Sequence, residues 1–239
     1  MSTSDVVSSI WADVSGTQQP LGDRGVVLTA AVAVLLVAVP AGWGISRHVV
    51  TIAHEGAHGV AALLTGRSLQ GIRLHSDTSG LTVSRGRPSG PGMVATAFAG
   101  YIGPALLGLG AAYLLGRQHA LAVLWLAVLL LALLLLQIRN FFGLYVVALA
   151  GVAVAAVSWW GTGQVQTVAA YVGTWFLLVA APRPVLELQQ LRRRGRARTS
   201  DADVLARLTR VPGLVWVAVF LAATLGCLVV GGRWLWLAA

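Results

Sequence analysis

The chain has 239 residues, 57% of them hydrophobic and 10% charged, with a mean hydropathy of +0.79, which excludes a water-soluble enzyme or binding module. Its net charge of +9 is of a size that suits nucleic acid, but all 17 basic residues are arginines set beside apolar runs. That placement serves anionic lipid headgroups and membrane topology and gives no nucleic-acid motif, while the single Cys227 excludes an intramolecular disulfide.

Residues 1–25 read as a polar N-terminal tail carrying Asp5, Asp13 and Asp23 against Arg24. The tail lacks the basic start of a signal peptide, so the first apolar run is expected to stay as an anchor. Apolar runs follow near 26–45, 48–65, 93–115, 120–137, 141–160, 165–182 and 212–232, each close to the length of about 20 residues that spans a bilayer. The expectation is an all-α polytopic membrane protein with about seven transmembrane helices. Its core would occupy 26–182, followed by a basic cytoplasmic segment 183–211 and a C-terminal transmembrane helix within 212–239. Placing the N-terminus, 66–92, 138–140 and 183–211 on one side gathers 14 of the 17 arginines there. That side is expected to be cytoplasmic, in a bacterial plasma membrane.

Between the second and third runs, residues 69–85 alternate Ile72 and Leu74, then Leu81 and Val83, around a Ser76-Asp77-Thr78-Ser79-Gly80 turn. This predicts a β-hairpin. Such a hairpin serves either as a connection capping the bundle or as an edge strand that pairs with an extended substrate backbone.

The chemistry concentrates in His54-Glu55-Gly56-Ala57-His58, inside the apolar run 49–64. Residues four apart share a helix face, so His54 and His58 can hold one zinc ion while Glu55 sits where it can take a proton from the attacking water. An ionisable cluster at that depth is a functional hypothesis by default, against the bland reading of a polar patch satisfied by neighbouring helices.

Catalytic zinc needs a third protein ligand and an open position. Apart from Glu55 the acidic residues are Asp5, Asp13, Asp23, Asp77, Glu187, Asp201 and Asp203. Asp77 fits the hairpin turn. Glu187, just past the sixth run, is the best-placed carboxylate, and its alternative role is an interfacial pair with Arg183 or Arg192. Asp201 and Asp203 are possible alternative ligands, although Ser200 or Asp201 also suits the cap of a short helix over 202–209. His48, His75 and His119 read as ordinary polar residues.

With the His54–His58 motif in one span, the hairpin after it and Ala99-Gly100-Tyr101-Ile102-Gly103-Pro104 opening the next, the chain resembles the site-2 protease family of intramembrane zinc metallopeptidases. The similarity is closest to its small branch without a PDZ domain and runs from about Arg47 to Trp216. Its later elements are Arg139-Asn140-Phe141-Phe142-Gly143, Arg183-Pro184-Val185-Leu186-Glu187-Leu188 and Ser200-Asp201-Ala202-Asp203 with Thr209, Pro212 and Trp216.

The resemblance implies a zinc endopeptidase acting on a membrane-anchored protein, with His54, His58 and Glu187 as metal ligands and Glu55 as base. Gly100, Tyr101, Gly103 and Pro104 would lie near the active site and its substrate, or else simply allow tight helix crossing and a kink, and Asn140 reads as an interfacial cap or as a contact to the substrate backbone. Where the family's usual pattern has Asn and Pro ahead of Leu-Asp-Gly, this chain has Leu186-Glu187-Leu188 without an upstream Asn. The competing function is a catalytically inactive protein of the same fold that binds other membrane proteins. A transporter would need polar residues strung across the bilayer, and too few exist outside the motif. The run 192–198 suits anionic lipid, and oligomeric state is not legible.

Overall fold

The computed structural model of the chain describes residues 2–195 and 199–237. Its elements, in order, are α1 (Thr3–Ser15), α2 (Asp23–Ala38), α3 (Pro40–Leu64), β1 (Ser68–Leu74), β2 (Gly80–Arg85), α4 (Pro91–Leu115), α5 (Ala120–Leu135), α6 (Phe141–Trp160), α7 (Gly163–Ala180), α8 (Pro182–Arg193), α9 (Asp201–Thr209) and α10 (Gly213–Leu237). The expected helical class and hairpin are both present. The expected polar tail contains α1, whose Ser2 and Asp5 form a reciprocal capping box.

Among the described residues, four helical stretches are long and apolar enough to cross a membrane, namely α4, α6, α7 continued into α8, and α10, or five if the bent pair α2 and α3 makes one span. This is fewer than the seven expected. α5, at 16 residues, reaches only about 24 Å at 1.5 Å per residue. The first two runs divide at Val39 and Pro40, earlier than their hydropathy indicated. The residue before a proline is driven to an extended backbone, Val39 has φ −79° and ψ 125°, and α2 and α3 meet at a bend of 98°. Pro40 then opens α3, where its missing N–H costs nothing.

Four apolar clusters bind the elements together, and three of them position the site. Ala33, Trp43, Val50, Phe176 and Ala180 tie α3 to α2 and α7. Ile52, Ile72, Leu74, Ile138 and Val147 press the hairpin onto α3 and α6. Ala97, Val185, Leu188, Ala202, Leu205, Val217 and Phe220 lock the short α9 against α4, α8 and α10. Within a bilayer such contacts stabilise by close packing, since lipid is as apolar as the side chains. Leu35, Leu129, Leu149 and Val229 are exposed on the outside of the bundle.

The two strands pair antiparallel, with Ile72 opposite Thr82 and Leu74 opposite Gly80. The outer edge of β1 is also occupied: the Ile72 N–H donates to the Gln137 carbonyl at 2.8 Å and its carbonyl accepts from the Arg139 N–H at 2.9 Å. Asn140 completes this edge through its Oδ1, which accepts from the Leu74 N–H at 3.1 Å, and its Nδ2, which donates to the Leu74 carbonyl at 2.7 Å. Asn140 is thus a clamp on the hairpin backbone.

Candidate metal centre

His54 and His58 lie one helical turn apart on α3, and the helix-capping chemistry of α9 brings a carboxylate to them. Ser200 is the N-cap of α9, accepting from the Asp203 N–H at 3.4 Å and donating through its hydroxyl to Asp203 Oδ2 at 2.6 Å. Asp203 also accepts from Arg192. The cap therefore engages Asp203 and leaves Asp201, in the first turn, free to reach across. Asp201 Oδ2 stands 3.3 Å from His54 Nε2 and 3.3 Å from His58 Nε2, and the two imidazole nitrogens are 3.1 Å apart.

The donor set fits a metal ion. His58 Nδ1 is 2.7 Å from the Thr96 carbonyl, which can only accept, so Nδ1 carries the proton and Nε2 offers its lone pair to the cluster. A tetrahedral ion with bonds of about 2.0–2.1 Å separates its ligand atoms by about 3.3–3.4 Å, close to the edges of this triangle. Burial works to raise the Asp201 carboxyl pKa, but the two imidazoles, when protonated in place of a metal, outweigh it by hydrogen bonds and charge and hold the group below the usual carboxylate range. Asp201 is thus kept as an anion, the form that binds metal.

Glu55 is 5% exposed. Thr82 Oγ1 on β2 is 2.6 Å from its Oε2. Glu55 and His54 line a cleft of about 210 Å³ together with Arg47, Thr51, Thr78, Gly80, Tyr101 and Pro184.

Glu187 is not part of the cluster. Its Oε1 accepts from Trp43 Nε1 at 3.1 Å and Arg183 Nε at 3.3 Å, and its Oε2 is 2.9 Å from Arg47 Nη2. With Arg183 stacked 4.5 Å over the Trp43 ring, Glu187 fastens α8 to the start of α3. The carboxylate that the structure brings to the two imidazoles is Asp201, and not the expected Glu187. The physical reason is that two guanidinium groups satisfy Glu187, whereas Asp201 faces two imidazoles. Asp203, the other alternative, is taken up by Ser200 and Arg192. The segment 183–211 thus supplies a member of the cluster as well as arginines.

Of the remaining expected residues, Tyr101 borders the cleft, with its ring edge-on to His54 at 4.8 Å and stacked on Phe220 at 5.1 Å. Gly103 abuts Ala57, Pro104 is buried within α4, and Asn140 serves the hairpin. Gly100 lies directly beneath both imidazoles: a Cβ there would overlap His58 Nε2 and come within 2.7 Å of His54 Cε1. Gly100→Ala is therefore expected to swing one ring out of the triangle. Metal affinity should fall at least about 10–100-fold, the loss seen when only an outer contact of a ligand is removed, as read by competition with a chromophoric chelator. The other histidines stand apart. His48 packs near Phe142, His75 meets Ser79, and His119 Nδ1 is 2.9 Å from the Gly16 carbonyl.

A bundle of apolar helices thus encloses three donors able to hold a metal, beside a buried carboxylate. The family model described as Peptidase M50B-like matches residues 27–231, and the chain belongs to that family, in agreement with its resemblance to the site-2 proteases. It is an integral membrane protein of a peptidase family, with a His54, His58 and Asp201 group able to hold a metal. Comparisons with curated proteins and with solved structures gave no match.

Proposed function

We propose that the chain is an intramembrane zinc endopeptidase that hydrolyses a peptide bond within or next to the bilayer in a membrane-anchored protein. The observation that carries this reading is the convergence of His54 Nε2, His58 Nε2 and Asp201 Oδ2 within 3.3 Å of one another, beside Glu55, in a chain of a peptidase family. Two imidazoles and a carboxylate are a catalytic zinc set that leaves a fourth position open. When bound, zinc supplies a Lewis acid that polarises the scissile carbonyl and makes water acidic enough to deprotonate near neutral pH. Glu55 takes the proton of the attacking water and delivers it to the leaving nitrogen.

The substrate is read as an extended strand added to the open edge of β2, since β1 is already flanked by 137–140. Unwound backbone supports this reading: it needs hydrogen-bond partners in the bilayer, and a strand edge supplies them. The alternative, a catalytically inactive protein of the same fold that binds other membrane proteins, rests on the irregular motif around Glu187, and Asp201 beside the two imidazoles favours the peptidase. Exposed Arg193 and Arg194 suit anionic headgroups; the rest of that run, 196–198, lies outside the described residues. We place the N-terminus on the cytoplasmic side on the distribution of arginines.

The test is metal removal. The purified chain in liposomes with a single-span membrane protein is expected to cut it within or next to the span. Chelation should reduce cleavage to background and added zinc should restore it, with products located by mass spectrometry. Undiminished cleavage after chelation would refute the proposal.

A further inference from the structure

The hairpin does more than roof the site. Along β2 the alternate residues Gly80, Thr82 and Ser84 are half-buried, while Leu81 and Val83 are 50% and 42% exposed. Thr82 Oγ1 is 2.6 Å from Glu55 Oε2 and 3.0 Å from the Glu55 carbonyl. The hydroxyl has one proton, and the shorter distance is that of a charge-assisted O–H to carboxylate bond, so the proton goes to Oε2. On the same face Gly80 makes room for the other oxygen, because a Cβ at Gly80 would lie 2.5 Å from Oε1. One carboxylate oxygen is thus held by Thr82, and the other rests against Gly80 on the wall of the cleft.

The backbone of Thr82 has a second use. Ile72, its partner across the strands, spends its N–H on the Gln137 carbonyl and its carbonyl on the Arg139 N–H, so the pair is not hydrogen-bonded to each other. In an antiparallel ladder the Thr82 N–H and carbonyl then point to the open edge of β2. A peptide strand seated on that edge would bond to the residue whose side chain grips Glu55.

We propose that Thr82 is a positioning residue: it fixes the Glu55 carboxylate with Oε1 toward the cleft and makes that orientation depend on the strand edge where substrate docks. This rests on reading Glu55 as the base of a zinc peptidase. The chain has two glutamates, Glu55 and Glu187, so carboxyl-13C-glutamate labelling of the full chain in lipid nanodiscs yields two side-chain carboxyl signals, and Glu187→Gln identifies that of Glu55. Thr82→Val keeps the shape and the β preference of the residue and removes only the hydroxyl.

Thr82→Val is expected to move the Glu55 signal and to lower kcat about 10–100-fold, the scale for a group displaced by about an ångström. The substrate probe is a co-reconstituted synthetic peptide with one Ala/Leu/Gly-rich span. KM and zinc content should be unchanged, and Thr82→Ser should restore both signal and kcat. An unmoved Glu55 signal in Thr82→Val, or a wild-type kcat there, overturns the proposal while the protease reading stands. A wild type that neither holds zinc nor cleaves the peptide overturns both.

Discussion

Asp201→Ala is expected to strip the protein of its metal, and Glu187→Gln to leave the metal in place. Zinc content after dialysis, measured by mass spectrometry, separates the two. Asp201 supplies one of the three donor atoms of the cluster, and its removal leaves two imidazoles. Asp203 cannot take over, since its carboxylate is held by Ser200 and Arg192 and serves the cap of α9. Loss of an outer-shell partner alone lowers metal affinity about 10–100-fold, so loss of a direct ligand should exceed about 100-fold. Glu187→Gln acts elsewhere, loosening the contacts with Trp43 and Arg47 that join α3 to α8. Its effect should appear as faster backbone exchange at the start of α3. Metal retained in Asp201→Ala, or lost in Glu187→Gln alone, would reverse the ligand assignment.

The contrast between these two carboxylates shows what sequence carries and what it withholds. His54, Glu55 and His58 were legible because their relation is local: a spacing of four on one helix decides which side chains meet. The hairpin was legible for the same reason, since alternation around a Ser-Asp-Thr-Ser-Gly turn needs no distant partner. The third donor depends on how α9 docks against α4, α8 and α10 through Ala202 and Leu205, and no local pattern encodes that. A partial signal did exist. In Ser200-Asp201-Ala202-Asp203 the residue three past the cap is Asp203, which a capping pair would claim, leaving Asp201 without a local task. Glu187, with Arg183 four residues before it, already had a partner at salt-bridge spacing. Span counting failed where apolarity alone set the boundaries: Pro40 breaks a run that hydropathy placed as continuous, and α5 is apolar but short.

Glu55→Gln should keep the metal and abolish hydrolysis. Glutamine preserves the length and shape of the side chain, and its carbonyl oxygen can still accept from Thr82, so neither the hairpin contact nor the His54, His58 and Asp201 donors are disturbed. The amide has no basic oxygen with which to take the proton from water and carries none to the leaving nitrogen. General acid–base catalysis contributes about 10²–10⁴-fold, and a loss on that scale leaves substrate uncut over the course of an assay. The variant should therefore hold wild-type zinc while full-length substrate accumulates beside it. Zinc content and substrate level are read on the same preparation, so a protein that lost activity by unfolding would show in the first measurement. Turnover equal to wild type would sink the assignment of Glu55 as the base. It would leave the metal cluster intact as a site and require another group to move the proton, for which Tyr101, at the cleft wall and outside the donor cluster, is the first to replace.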